Sequence, residues 1–107
     1  MKTRRDVCPI CLAPSKSQLH SQPEDGRHPF VVHKCATCGI FRVEIDAEPD
    51  YKRQDGPLGI LGSPQRQNGS RWVKTNRRLI GPKPSILRLA DVAALAQGET
   101  PRRFIGA

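Results

Sequence analysis

Four cysteines constrain this chain more than anything else in it. They fall as two pairs, Cys8-Pro9-Ile10-Cys11 and Cys35-Ala36-Thr37-Cys38-Gly39, with 23 residues between them. Two residues between cysteines let a tight turn aim both sulfurs at one point, with backbone amides facing the thiolates. Two such turns brought together predict a closed tetrahedral site on Cys8, Cys11, Cys35 and Cys38. That site suits one structural zinc ion and leaves no position open for a substrate. Pro9 stiffens the first turn, and Gly39 follows the second pair where a positive backbone angle is usual. An iron–sulfur centre could draw on the same four sulfurs. Disulfides would need an oxidising compartment, and a redox dithiol would need one reactive pair at a helix start. Neither fits two pairs on strand-like flanks. His28 and His33 lie near enough to compete as ligands, but four cysteines already satisfy the ion, so both are read as solvated surface histidines.

A metal is also what the composition calls for. Hydrophobic residues make up 36% of the 107 residues and aromatic ones 5%, while Gly and Pro together number 19. So lean a chain cannot order its whole length by apolar burial alone. No apolar run approaches the ~20 residues of a membrane span. The basic start MKTRRDVCPICLAP lacks the apolar stretch of a secretory leader, so a cytoplasmic location is expected.

From Phe41 onward the pattern alternates, with Phe41, Val43 and Ile45 on one face and Arg42, Glu44 and Asp46 on the other. This period of two marks a half-buried strand. Residues 30–35 alternate less cleanly, which puts the second cysteine pair at the tip of a β-hairpin. Residues 13–28 are polar and read as a loop with room for a short third strand. The run CPIC, then a polar loop, then VVHKCATCGIFRVEI resembles the zinc-ribbon fold group over about residues 7–47. The resemblance implies the metal and the hairpin, not a function. Ribbon-headed bacterial multidomain proteins with an Arg-rich linker and a helix look similar too. The element Asp25-Gly26-Arg27-His28-Pro29 resembles part of the His-Asn-His nucleases. However, no Asn lies between His28 and the second pair, and a strand follows where that family has a helix.

The charge is uneven. Residues 1–50 hold seven Lys/Arg and seven Asp/Glu, whereas residues 51–107 hold eleven against three. Residues 47–70 carry no sustained period and read as an extended arm, with Leu58, Ile60 and Leu61 docking on the ribbon. Residues 84–98 form the one expected helix, with Ser85 as cap, Gly98 as stop and an apolar stripe of Ile86, Leu89, Ala93 and Ala96. The stretch LADVAALAQGETPRRF also resembles the first helix and turn of a helix-turn-helix unit. The expected organisation is therefore a small α+β fold: a zinc-ribbon hairpin head (1–50), an irregular basic arm (51–84) and one C-terminal helix with its tail (85–107) packed on the ribbon.

Arg66, Arg71, Lys74, Arg77, Arg78 and Lys83 crowd into eighteen residues with Trp72 among them. Such cations neutralise phosphates, and an indole can stack on an unpaired base. The only tryptophan of an aromatic-poor chain is still better placed in the core. The expected function is a non-enzymatic zinc module that binds RNA, DNA or a nucleoprotein machine through the arm. The alternative is a protein–protein adaptor docking through the 85–97 helix, or the N-terminal module of a larger protein. No membrane partner and no small-molecule substrate are expected. No Ser-His-Asp or Cys-His arrangement, glycine-rich phosphate loop or open metal site argues for an enzyme.

Overall fold

Each cysteine pair becomes the turn of a β-hairpin. The computed structural model describes residues 3–20, 29–80 and 86–105. Among these, strands β1 (Arg4–Val7), β2 (Pro14–His20), β3 (Phe30–Cys35) and β4 (Gly39–Glu44) form an antiparallel meander in the order β1-β2-β3-β4. The first turn joins β1 to β2 and is closed by Cys8 N–H to Ala13 O at 2.9 Å and Leu12 N–H to Cys8 O at 2.8 Å. The second joins β3 to β4 with Cys35 opposite Gly39. Gly39 takes the positive φ expected of it, at 101°, and Leu12 stands at the matching place after the first pair with φ 62°. The strand within 13–28 is real and longer than expected; residues 21–28 lie outside the described region.

Alternation sorts the sheet into two faces. On the inner face Val31 pairs with Val43, and His33 with Phe41, all four buried. After β4 a 3-10 turn (Ile45–Ala47) leads into α1 (Glu48–Lys52), whose Tyr51 hydroxyl donates to Arg88 O at 2.8 Å. In the loop that follows, Leu58 is buried as expected, but Ile60 and Leu61 are 61% and 65% exposed.

The basic segment departs from the expectation of an irregular arm. It contains helix α2 (Pro64–Thr75), followed by the single turn α3 (Arg77–Ile80). Ser63 caps α2 by accepting from Arg66 N–H at 3.1 Å, and Pro64 occupies the first turn, where a missing N–H costs nothing. Its buried positions are Arg66, Gly69, Ser70, Trp72 and Val73, so the first two turns carry no apolar period that would mark a helix. Gly69 lets the helix lie close on the first cysteine turn: a Cβ there would meet Ile10 Cγ2 at 3.3 Å and Leu58 Cδ2 at 3.4 Å.

The C-terminal helix is shorter than expected. Leu87 instead extends the sheet, bridging in parallel to Val43, with Leu87 N–H to Arg42 O and Glu44 N–H to Leu87 O both at 2.9 Å. Two backbone bonds to an otherwise open strand edge outweigh starting the helix early. A 3-10 turn (Leu89–Asp91) then opens α4 (Val92–Ala96), with Asp91 accepting from Arg88 N–H at 2.8 Å. Val92, Leu95 and Ala96 are buried, but Leu89 is 52% exposed and Ala93 faces solvent, so the expected stripe is only partly right. Ser85 lies outside the described residues. Packing of α4 against α2 is fixed by Asn68 Nδ2 donating to Ala96 O at 3.2 Å. Trp72 is in the core, its indole N–H donating to Thr100 Oγ1 at 3.1 Å and its ring 5.7 Å from that of Phe104. One core cluster thus runs from Ile10 and Phe41 through Tyr51, Leu58 and Trp72 to Leu95 and Phe104. Among the described residues no helix is long and apolar enough to cross a membrane.

Candidate metal centre and basic surface

The two hairpin turns meet. Cys8, Cys11, Cys35 and Cys38 bring their sulfurs within 4.8 Å of one another, with Cys8 to Cys38 at 3.8 Å and Cys11 to Cys35 at 3.5 Å. A tetrahedral ion with metal–sulfur bonds of ~2.3 Å, the length zinc forms, needs sulfur–sulfur edges of about 3.8 Å. The four cysteines are therefore placed to hold one metal ion. None is in a disulfide. Hydrogen bonds to Cys11 and Cys38, reinforced by burial, raise the Cys8 thiol well above its ordinary range, while the bond with Cys8 pushes Cys11 down to about 5. Burial raises Cys35, and the bond with Cys8 together with Ser70 lowers Cys38.

Helix α2 supplies the surroundings of these sulfurs. Ser70 Oγ lies 3.1 Å from Cys38 Sγ, and Cys38 N–H points at Cys35 Sγ at 3.4 Å. One helical turn before Ser70, the Arg66 side chain donates through Nη1 to Pro9 O at 2.9 Å, Ile10 O at 3.2 Å and Tyr51 O at 2.9 Å, and through Nε to Gly59 O at 2.8 Å. Arg66 is 1% exposed. Burial pulls its guanidinium below the ordinary value, and the thiolates of Cys8 and Cys11 pull it back up. A buried cation needs a counter-charge, and here the nearby cysteine sulfurs provide it.

Arg66 is accordingly a correction to the expected polyanion-binding set: a guanidinium spent on five backbone carbonyls of its own chain cannot reach a phosphate. Arg71 and Lys74 on α2 and Arg77 and Arg78 on α3 are exposed; Lys83 lies outside the described residues. No family model, curated protein or solved structure matches the chain. What the site does must therefore be read from its own geometry. Beside the two cysteine turns a cavity of about 350 Å³ is walled by Cys11, Thr37, Ser70, Arg71 and Lys74.

His33 is a second correction. Far from being solvated, it is fully buried, stacked at 5.4 Å on Phe41 and hydrogen-bonded through Nε2 to Glu48. Its ring ties α1 to the sheet. Glu48 in turn pairs with Lys52 at 3.5 Å, and Lys52 with Asp6 at 2.8 Å. The His28 element that resembles part of a nuclease motif falls in residues outside the described region. Sequence reasoning missed Arg66 and Ser70 as supports of the cysteine site. The signal available was their i, i+4 spacing, but reading it required the helix to be recognised first.

Proposed function

We propose that the protein is a non-enzymatic module, held by one zinc ion, that binds nucleic acid through the basic outer side of α2 and α3. The zinc assignment is supported by four cysteine sulfurs within 4.8 Å of one another, two of their separations being 3.8 and 3.5 Å, with no other donor type among them. Nucleic acid as partner rests on one observation. Arg71, Lys74, Arg77 and Arg78 are exposed and form no ion pair among the described residues. No Asp or Glu occurs between Asp55 and Asp91. A surface kept free of acids over that length is an attractor for phosphates. With Trp72 buried, the attraction is electrostatic and tolerant of base sequence.

The test is a salt titration of the zinc-loaded protein against short single-stranded RNA and DNA. Four phosphate contacts give a slope of log affinity on log salt of about −3 for single strands, and changing Arg77 and Arg78 to Ala removes about 1.4 of it. Absence of binding at low salt, or affinity indifferent to both arginines, rules the reading out. A second reading, a protein-docking module, is favoured by the exposed neighbours Ile60 and Leu61, because adjacent exposed large apolar side chains mark contact sites. Concentration-dependent self-association abolished by Ile60→Ser/Leu61→Ser would favour it.

A further inference from the structure

The cysteine-bearing half has no net charge, so nothing in its composition marks it as a ligand-binding surface. Strand register changes that. Arg5 on β1 is paired with Lys16 on β2, and Lys16 with Lys34 on β3. Directly opposed residues share a face, so three cations from distant parts of the sequence stand in one row across the sheet. All three are exposed, and none makes an ion pair among the described residues.

Such a row opposes folding, because like charges directly across a strand pair repel. The face offers little relief. In its strands the one acid is Glu44, at the far end and facing Arg88 at 3.5 Å. Phe41 and Val43 join the core from the opposite face of the sheet, and among the described residues the row itself is exposed. A cavity of about 470 Å³ lies against it, walled by Arg5, Lys16, Lys34, Pro14 and Ala36. Asp6 also borders this cavity, but its carboxylate is held by Lys52 at 2.8 Å.

We propose that Arg5, Lys16 and Lys34 form a second phosphate-binding surface, on which the backbone of single-stranded nucleic acid continues from α2. Continuity supports this occupant. Ala36 walls the cavity beside the row, and its neighbour Thr37 walls the cavity beside Arg71 and Lys74. The tip of the second cysteine turn is therefore the shared ridge between two basic surfaces. The cysteine turns fix the spacing of both, which gives the metal a role in binding: it holds two phosphate contacts at a set distance. The identity of the ligand rests on the reading above, whereas the position of the row does not.

The experiment uses the full zinc-loaded chain and a labelled single-stranded oligonucleotide of ~12 nucleotides, within the range such surfaces cover. Wild type, Arg5→Gln/Lys16→Gln/Lys34→Gln and Arg77→Ala/Arg78→Ala are titrated over a range of salt. The triple variant is expected to bind roughly tenfold more weakly at low salt and to lose about 2 from the salt slope, three contacts at ~0.7 each. It keeps its zinc, and its urea midpoint at low salt rises because the repulsion is gone. If the triple variant matches wild type in affinity and slope while the helix variant is weakened, the row is not a binding surface and the α2–α3 reading stands. If the triple variant is weakened and the helix variant is not, the row stands and the α2–α3 surface falls. Absence of binding by wild type overturns both.

Discussion

Replacing Arg66 by Met keeps the aliphatic stem and removes every donor that ties α2 to the first cysteine turn. Five carbonyls lose their partner: those of Pro9, Ile10 and Tyr51, which are buried, and those of Gly59 and Arg53, which are partly so. Bonds from a charged donor contribute about 1.5–3 kcal/mol each, but they share one side chain and do not add. Relief from burying a cation offsets part of the loss, and removing one partner of a buried charged network costs about 3–5 kcal/mol net. Against the ~5–15 kcal/mol of a typical domain that is about a fifth of the total at the least. Urea unfolding of the zinc-loaded protein, followed by fluorescence of the buried Trp72, reads the change directly. Because metal binding and folding are one equilibrium here, apparent zinc affinity falls about a hundredfold or more. Arg66→Lys recovers only part, since an ammonium has three donors and no planar fork. A midpoint for Arg66→Met within about 0.5 kcal/mol of wild type would refute the claim that this guanidinium fastens the helix to the metal site.

Two further outcomes follow from particular residues. Burial raises the Asp6 carboxyl, but hydrogen bonds from Lys52 and the Val7 amide, with the Ser17 hydroxyl nearby, outweigh it and lower it from 3.8 to about 2. A lowered carboxylate stabilises the fold above its unfolded value and loses that contribution only as pH falls toward the folded one. Asp6→Asn is therefore expected to cost about 1 kcal/mol at pH 7, after allowing for solvent screening. The same difference is expected at pH 5, and equal urea midpoints for the two proteins at pH 7 would contradict the pairing. Gly39→Ala places a side chain at φ 101° with no atom within 4 Å of the new Cβ. The loss, about 1–2 kcal/mol in chemical unfolding, is then one of backbone strain alone, and a neutral result would show that the turn relaxes.

What could be read in advance was local. The Cys-x-x-Cys spacing located the metal site, and the alternation of Phe41 and Val43 located β4, because both signals are carried by neighbours in sequence. The first two turns of helix α2 are illegible for a physical reason: their inward positions hold a cation, a glycine and a hydroxyl, which face the cysteine turns, and only Trp72 and Val73 follow as apolar positions. Apolar periodicity in 84–98 overstated the C-terminal helix, since Leu87 is recruited to the edge of β4 by a contact 44 positions away. His33 looked solvated because nothing near it in sequence reveals that Glu48 and Phe41 enclose it. The row of Arg5, Lys16 and Lys34 is likewise a product of register, visible only when three strands are laid side by side.

Both the fold and its proposed role depend on the metal. X-ray absorption at the zinc edge of the protein reconstituted with zinc tests it most directly. Four sulfurs at ~2.3 Å around one zinc per chain is the predicted result. A shell containing nitrogen or oxygen, less than one ion per chain, or thiols found paired as disulfides would contradict it.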